Sequence, residues 1–444
     1  MIRVICLLVL WLQLCNDSIA QAIKPYFIHY STNQGLSQSQ VGAILKDKQG
    51  FMWFATQEGL NKFDGYTFTI YKHYPNDANS LSDNNIFDIV EDSKGYIWIA
   101  TGRGLDKFDK ATEVFTHYTT QLPDLKIRDL FIDSKQRLWL GTADGLYLFN
   151  GLKNNFSVFK HIDNFPNSLA DSYVYRMAED AQGNLWIGCK NGLSVFNPHT
   201  KRFRNYFHQS NNPRSLSNNW VTSVLKDNHN RMWLGTRGGG LNLYNESSDD
   251  FQIFQHKADN PNSLAHNDLL CLQEDEKNNI WIGTENGGLS VLNLQSFNFT
   301  TYTFDANDPN SLSNNSVYSI YRDDIGNIWV GTWSGGVNFL PKFGRKFKSY
   351  KNNIGSNSLN NNFVLSITGD GKDQIWIGTD GGGINYFNRK TQTFDFIKNN
   401  PSNPNSPRTD YVIAVDYLNP STLALGYHRG GFGLYNILTK TVLL

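Results

Sequence analysis

This chain has little cysteine, no net charge and no long apolar run beyond its first residues. It has four cysteines in 444 residues, and its 40 basic residues balance 40 acidic ones. A balanced charge argues against nucleic-acid binding, which favours a basic patch or stripe. The length is too great for one ordinary core, although an array of repeats can extend without one.

The N-terminus has the pattern of an export signal. Arg3 provides a positive start, Val4 to Leu14 is almost wholly apolar, and small residues such as Ala20 and Ala22 follow. The apolar run is short for a membrane span. We therefore predict a signal peptide at residues 1–22 and a periplasmic location. The alternatives are a buried first strand and lipidation at Cys15, which the large Leu14 before it disfavours.

Two cysteines are left after cleavage at this site. Cys189 and Cys271 lie two repeats apart and at different positions within the repeat. Repeats in such arrays mainly contact their neighbours, so we expect no disulfide.

The most informative feature of the sequence is a tryptophan that recurs every 41 to 48 residues. The eight copies are Trp53, Trp98, Trp139, Trp186, Trp233, Trp281, Trp329 and Trp376. A ninth copy of the phrase, at Leu423–Tyr427, has Ala424 in place of the tryptophan. A period of this length indicates stacked supersecondary units.

An aspartate stands six residues before each of the eight tryptophans. These residues are Asp47, Asp92, Asp133, Asp180, Asp227, Asp275, Asp323 and Asp370. A Gly or Asn usually follows the aspartate, and apolar strand-forming residues lie on both sides, so the phrase predicts strand, tight turn, strand. Two further strand-like segments complete each repeat. The unit is therefore a four-stranded antiparallel meander, the blade of a β-propeller.

The predicted fold is an all-β propeller of nine repeats. Because one ring usually holds four to eight blades, we expect a seven-bladed propeller over residues 23–350. Residues 351–444 would then be the first two, incomplete, blades of a second propeller. The strand-like segment Tyr26–Tyr30 has no blade before it, so we expect it to complete the last sheet of a ring.

The phrase Asp-x-x-Gly-x-Ile-Trp-Ile-Gly-Thr-x-x-Gly-Leu, together with Asn-Ser-Leu loops between blades, resembles the two-component regulator propeller repeat. The resemblance covers about residues 26 to 444 and implies the periplasmic sensor region of a hybrid sensor histidine kinase, many of which are thought to detect oligosaccharides. It also implies a membrane anchor and a homodimer made through segments outside this chain. Kinase sequence motifs are absent here, so no kinase activity is assigned to these residues.

The residues indicate no catalytic group, no metal site and no cofactor. An aspartate that every blade carries is a poor candidate for a single active site, and the histidines lack metal-ligand spacing. Two alternative functions stay open from the sequence: a glycan-active propeller enzyme and a secreted protein-interaction scaffold.

Residues that break the repeat are the candidate ligand contacts. Trp220 and Trp333 are the only tryptophans after the signal segment that lie outside the repeated position. Aligned turns and strand entries add further candidates, on the expectation that both lie on one face of the propeller. The full set is Trp220, Trp333, Arg237, Arg103, Tyr173, Phe363, Tyr411 and Arg429. Aromatic faces complement sugar rings, and polar groups bond hydroxyls or acidic groups, so we expect this face to bind an oligosaccharide or another small ligand.

Overall fold

The structure is a computed structural model that describes residues 25–118, 126–344, 349–353 and 357–443. The chain divides into two compact units, an N-terminal unit that ends at Gly344 and a C-terminal unit that begins at Arg345. The predicted signal peptide lies outside the described residues. Apart from one turn of 3-10 helix at Thr32–Gln34, the regular structure of the described residues is β-strand. Among these residues, no helix has the length and apolar character needed to cross a membrane.

The strands of the N-terminal unit follow one another at the spacing of the repeat. In chain order they are β1 (Ile28–Tyr30), β2 (Val41–Lys46), β3 (Met52–Thr56), β4 (Gly59–Phe63), β5 (Phe68–Tyr71), β6 (Ile86–Glu91), β7 (Ile97–Thr101), β8 (Gly104–Asp109), β9 (Val114–His117), β10 (Ile127–Ile132), β11 (Leu138–Thr142), β12 (Gly145–Asn150), β13 (Asn155–Phe159), β14 (Val174–Glu179), β15 (Leu185–Cys189), β16 (Gly192–Asn197), β17 (Arg202–Tyr206), β18 (Val221–Lys226), β19 (Met232–Thr236), β20 (Gly240–Asn245), β21 (Asp250–Phe254), β22 (Leu269–Glu274), β23 (Ile280–Thr284), β24 (Leu289–Leu292), β25 (Phe299–Tyr302), β26 (Val317–Arg322), β27 (Ile328–Thr332) and β28 (Val337–Leu340).

These strands form seven antiparallel four-stranded sheets, numbered here in chain order. The first six are successive meanders, from β2–β5 to β22–β25, and the seventh consists of β26, β27, β28 and β1. Strand β1 pairs with β28, so that Ile28 lies opposite Phe339. This pairing confirms that the segment at Tyr26–Tyr30 completes a sheet formed far along the chain.

The first strands of the seven sheets contact one another in a closed series. Each lies beside the first strand of the next sheet, and β26 of the seventh sheet lies beside β2 of the first. The N-terminal unit is therefore a propeller, and this arrangement is consistent with the predicted ring of seven blades. Cys189 and Cys271 are buried free thiols in the fourth and sixth sheets, and burial raises the pKa of each thiol to about 12.

The C-terminal unit contains the eighth and ninth sheets. Its strands are β29 (Val364–Gly369), β30 (Gln374–Thr379), β31 (Gly383–Asn388), β32 (Thr393–Ile397), β33 (Val412–Asn419), β34 (Thr422–Tyr427), β35 (Gly431–Asn436) and β36 (Thr441–Leu443). Each sheet is again a four-stranded antiparallel meander. The short β36 pairs with β35, with Val442 opposite Tyr435, so the ninth repeat already has its fourth strand.

Every repeated aspartate of the N-terminal unit holds its repeated tryptophan by a hydrogen bond. The indole Nε1 of the tryptophan donates to the carboxylate at 2.8–3.1 Å in all seven sheets. In the first sheet the other oxygen of Asp47 accepts from the backbone N–H groups of Gln49 and Phe51. Asp370 of the C-terminal unit accepts equivalent backbone bonds from Lys372 and Gln374. The aspartate thus satisfies the backbone of the tight turn and orients the tryptophan at the same time.

The repeated tryptophans pack between neighbouring sheets. Trp53 of the first sheet is buried with Ile86 and Phe108 of the second sheet. Trp329 of the seventh sheet packs in the same way against Val41 and Met52 of the first. Each tryptophan therefore belongs to a core shared by two sheets.

The Asn-Ser-Leu loops are anchored by their leucine and serine side chains. Leu81 and Leu264 are buried, and the neighbouring serine hydroxyls bond to the loop backbone. Ser80 Oγ, for example, accepts from Tyr74 N and donates to Asp77 O. These loops are accounted for by the fold.

Replacing one repeated aspartate tests how much this turn contributes to stability. Asp227 Oδ2 accepts from both Trp233 Nε1 and Arg231 Nε, and an amide there would place a donor against these donors. We expect Asp227→Asn to lower the free energy of unfolding by roughly 1–3 kcal/mol. Urea denaturation measures the change, with the exposed Asp259→Asn as the control.

The same variant should show a defined pH dependence. Burial acts to raise the pKa of Asp227, but hydrogen bonds from Trp233 and Arg231 outweigh it and hold the pKa below its usual range. A lowered carboxyl pKa stabilises the folded state above the unfolded value of about 3.9, and this contribution is lost as the pH falls through the folded pKa. The difference between wild type and variant should therefore shrink below about pH 4. If wild type and variant differed equally in unfolding free energy at pH 3 and pH 7, the charge of Asp227 would not be what stabilises the turn.

The contribution of the N-terminal segment can be tested with two adjacent residues. Phe27 is 2% exposed and packs against Leu289 and Leu312, whereas Ile28 in β1 is 37% exposed. We expect Phe27→Ala to lower the free energy of unfolding by about 3–5 kcal/mol, because a buried aromatic ring is lost. Ile28→Ala, the matched control, should cost about 1 kcal/mol or less. Similar urea midpoints for the two variants would show that the segment is not part of the folded core.

Candidate functional site

Two large grooves are lined in part by the aspartate and tryptophan of the repeat. A groove of ≈ 1060 Å³ between the fourth and fifth sheets is lined by Asp180, Trp186 and Arg231, among others. A comparable groove of ≈ 720 Å³ lies between the second and third sheets, with Asp92 and Trp98 in its lining. Because these grooves recur with the repeat, they are poor candidates for a single specific site.

A cavity of ≈ 460 Å³ is different, because all seven sheets of the N-terminal unit contribute to it. We call it the central cavity. Its lining residues come from the first strands and from the turns between the second and third strands. These are the positions at which the repeats differ most.

A β-bulge in each first strand places one residue at the lining of this cavity. In the first sheet the register shifts between Val41 and Ala43, which leaves Gly42 outside the regular ladder, and the other six first strands shift at the same point. A bulge redirects a side chain locally. The seven bulge residues all line the central cavity: Gly42, Phe87, Arg128, Tyr175, Thr222, Leu270 and Tyr318.

The turn after each second strand is tied to the residues that precede the first strand. Arg237 N donates to Trp220 O at 2.9 Å, and Trp333 N donates to Ser316 O at 3.0 Å. The first turn has three residues and the second has four by the strand bounds above, and each leads to a glycine at positive φ, Gly240 with φ 80° and Gly336 with φ 74°. A Cβ on Gly240 would clash with the carbonyl oxygen of Phe254. These bonds place Arg237 and Trp333 at the edge of the central cavity.

Three aromatic rings form a continuous arc along one side of the cavity. The ring centroids of Tyr173 and Tyr175 are 4.8 Å apart, and those of Tyr175 and Trp220 are 5.8 Å apart. Tyr173, Tyr175 and Trp220 are called the aromatic arc below. Burial raises the pKa of Tyr175 to about 12, so its hydroxyl stays protonated at neutral pH.

An arginine lies at each end of the aromatic arc. The Arg237 guanidinium is 4.8 Å from the Trp220 ring centroid, a cation–π contact. At the other end the Arg128 guanidinium is 5.6 Å from Tyr173 and 4.9 Å from Phe87. The arc therefore combines flat apolar faces with charged donors.

A second aromatic pair and a carboxylate belong to the sixth and seventh sheets. Trp333 is 47% exposed, and its ring centroid is 5.1 Å from that of Tyr318. Glu285 accepts from Ser316 Oγ at 3.2 Å and from Tyr318 Oη at 3.5 Å. This pair provides another exposed aromatic surface in the same cavity.

A buried ion cluster lies next to the bulge residues. Arg176 Nη1 is 2.7 Å from Asp129 Oδ1 and 3.2 Å from Asp88 Oδ2. The carboxylates also accept backbone bonds, Asp88 from Leu130 N and Asp129 from Met177 N. Burial raises the pKa of both carboxyl groups, that of Asp129 to about 7. Arg176 itself lines the central cavity and a smaller cavity of ≈ 170 Å³ beside it.

Four of the residues predicted to bind ligand meet in the central cavity. Trp220, Trp333, Arg237 and Tyr173 come from the fourth, fifth and seventh repeats and line this one site. For these four residues, the turns after the second strands and the residues before the first strands lie on one face, as expected from the sequence.

The alignment of Arg103 and Arg429 with Arg237 is off by one residue. The N–H groups that bond to the residues before the first strands belong to Gly102 and His428, each of which comes one residue before the arginine. Arg103 instead lies with its Nε 3.7 Å from Asp83 and does not line the central cavity. Arg429 adopts φ 56° within its turn.

Phe363, Tyr411 and Arg429 belong to the C-terminal unit and so lie outside this site. Asp380 N donates to Phe363 O, as Arg237 N does to Trp220 O in the N-terminal unit. Tyr411 forms an isolated bridge with Asp380. Phe363 is 70% exposed and Tyr411 49%. Their role in binding stays a prediction.

The sequence reasoning missed the bulge residues Arg128, Tyr175 and Tyr318. The position eleven residues before each repeated tryptophan could have identified them, because it holds a different residue type in most repeats: Gly, Phe, Arg, Tyr, Thr or Leu. Such variation directly after a position that is always apolar marks a side chain that the core does not require.

One cluster in the described residues has the spacing of a metal site. Ligand atoms of Asp227, His229 and Glu274 lie within 4.8 Å of one another. However, Asp227 already bonds to Trp233 and to the cationic Arg231. The arginine charge disfavours a cation there, and the acidic residues are accounted for by the turn.

Comparison with known proteins bears on the repeat and on the whole fold. Eight segments match the family described as Two component regulator propeller: residues 35–58, 80–103, 121–144, 168–191, 215–238, 263–286, 311–334 and 358–381. Each segment contains the first and second strands of one of the first eight sheets.

Solved structures with the same fold include extracellular domains of proteins described as hybrid two component systems of B. thetaiotaomicron. One is 29% identical with a TM-score of 0.62, over 95% of this chain and 54% of that chain. Another is 20% identical with a TM-score of 0.61, over 94% and 59%, a likeness in fold. A curated relative, Histidine kinase P4 of Formosa agariphila, is 48% identical over 63 residues, which is 14% of this chain and 5% of that protein.

The chain spans about half the length of the solved domains and a small part of the kinase. The matched repeats coincide with the sheets one by one, and the likeness to the extracellular domains extends over nearly the whole chain. The chain belongs to the two-component regulator propeller family.

Proposed function

We propose that this chain is the ligand-sensing region of a hybrid two-component receptor, exported to the periplasm, and that it binds an oligosaccharide in the central cavity. The likeness to extracellular domains of such systems supports the sensor role. In this proposal the chain contributes ligand recognition, and a histidine kinase region of the receptor contributes phosphoryl transfer.

One observation is the main reason for choosing the central cavity as the binding site. Trp220 and Trp333 are the two tryptophans that the repeat does not explain, they belong to different sheets, and both line the same cavity. Partly exposed aromatic rings in a concave site, next to a few polar groups, are typical of small-ligand binding.

The shape and chemistry of the cavity favour a sugar over a purely apolar ligand. The aromatic arc offers ring faces for the apolar faces of sugar rings. Arg128, Arg237 and Glu285 offer hydrogen bonds at the border of these faces. A cavity of ≈ 460 Å³ lies within the range of small-ligand sites, about 300–1,000 Å³.

Isothermal titration calorimetry of the chain with a panel of oligosaccharides tests this proposal. For a saccharide that binds, we expect Trp220→Ala and Trp333→Ala each to weaken binding roughly fivefold to tenfold, because a stacking face is lost. Phe304→Ala, which removes an exposed aromatic ring outside the cavity, should leave the affinity unchanged. Unchanged affinity in both tryptophan variants would remove the central cavity from the binding site.

A further inference from the structure

The polar atoms of the central cavity include buried N–H donors without acceptors. Arg128 Nε and Trp220 Nε1 are both buried and have no hydrogen-bond partner. The Tyr175 ring lies beside the Trp220 indole, with the ring centroids 5.8 Å apart, but its hydroxyl does not accept a hydrogen bond from Trp220 Nε1. A buried N–H group without an acceptor costs about 1–3 kcal/mol. These two donors therefore favour a ligand rich in acceptor oxygens.

Two of the cavity arginines carry charge that no neighbouring carboxylate balances. Arg128 and Arg237 contact aromatic rings, and neither takes part in the ion pairs found among the described residues. Arg176 differs, because Asp88 and Asp129 hold it. Glu285 is the single carboxylate among the lining residues. The central cavity therefore has an excess of positive charge.

The positions of these donors suit an extended ligand. Arg128 lies over Tyr173 at one end of the aromatic arc, and Arg237 lies over Trp220 at the other end. A sugar ring on the arc would have a guanidinium group at each side. Guanidinium groups bind carboxylate and sulfate oxygens through paired N–H bonds.

We infer that the ligand of the central cavity is an anionic oligosaccharide whose carboxylate or sulfate groups bind Arg128 and Arg237, with the Trp220 indole N–H as a further donor. This inference rests on the proposed function and names the class of saccharide. A neutral sugar could accept hydrogen bonds from the same donors, but it would leave two partly desolvated charges without a counter-charge, which is unfavourable.

The ligand class can be tested by calorimetry of the full chain with three saccharides. Trigalacturonic acid carries carboxylates, galactotriose is its neutral counterpart, and a sulfated carrageenan disaccharide represents the second anionic group. We expect at least one anionic saccharide to bind about tenfold or more tightly than galactotriose, since hydrogen bonds to charged groups are stronger than neutral ones. Its affinity should fall as sodium chloride is raised, because salt screens the charges.

Arginine variants link the preference to the cavity. Arg128→Gln and Arg237→Gln keep a polar side chain but remove the charge, so each should weaken binding of the anionic saccharide about tenfold and leave galactotriose nearly unaffected. Arg103→Gln is the matched control, since Arg103 is exposed and outside the cavity. Arg237 is an exposed turn residue, so its variant keeps the test decisive if Arg128→Gln does not fold.

The outcomes separate this inference from the proposed function. If galactotriose binds as tightly as the anionic saccharides, or if both arginine variants retain the full preference, the anionic class is wrong while saccharide binding stands. If none of the saccharides binds the folded chain, the proposed function fails and this inference fails with it.

Discussion

The N-terminal unit depends on one pair of residues in each of its seven sheets, the repeated aspartate and the tryptophan whose indole it holds. The aspartate bonds the turn backbone with one oxygen and the indole N–H with the other, as Asp47 does for Trp53. The polar edge of the tryptophan is thereby satisfied, and its large apolar face is free to pack. That face lies in a core shared with the next sheet, so a single repeat cannot complete its own core.

This dependence on a neighbour explains why both ends of the N-terminal unit contact each other. Trp329 of the seventh sheet lies against the first sheet, and β1 pairs with β28 of the seventh sheet. A core contact and a set of backbone hydrogen bonds thus join residues about 300 positions apart in the chain. Closure also covers the sheet edge at β28, which would otherwise present unpaired backbone groups.

The same architecture leaves a set of positions free to specialise. The bulge residue of each first strand is outside the ladder and faces the central cavity, so neither the hydrogen-bond pattern nor the core between the sheets restricts its type. In this chain three of these positions hold Arg128, Tyr175 and Tyr318, which join the turn and strand-entry residues of the candidate site. The buried cluster of Asp88, Asp129 and Arg176 lies beside them, where Arg176 offsets only part of the desolvation of the two carboxylates.

The sequence alone determined the repeat, the four-stranded unit and the place of the aspartate in the tight turn, because these depend on local spacing and turn chemistry. It also singled out Trp220 and Trp333, since they depart from a pattern visible along the chain. It could not place Arg128, Tyr175 and Tyr318 in the site, and it misaligned Arg103 by one residue. The reason is that a bulge and a turn length change where a side chain points without changing the apolar pattern. Only the tertiary structure decided which of these residues share one cavity, because that depends on how separate sheets are packed around it.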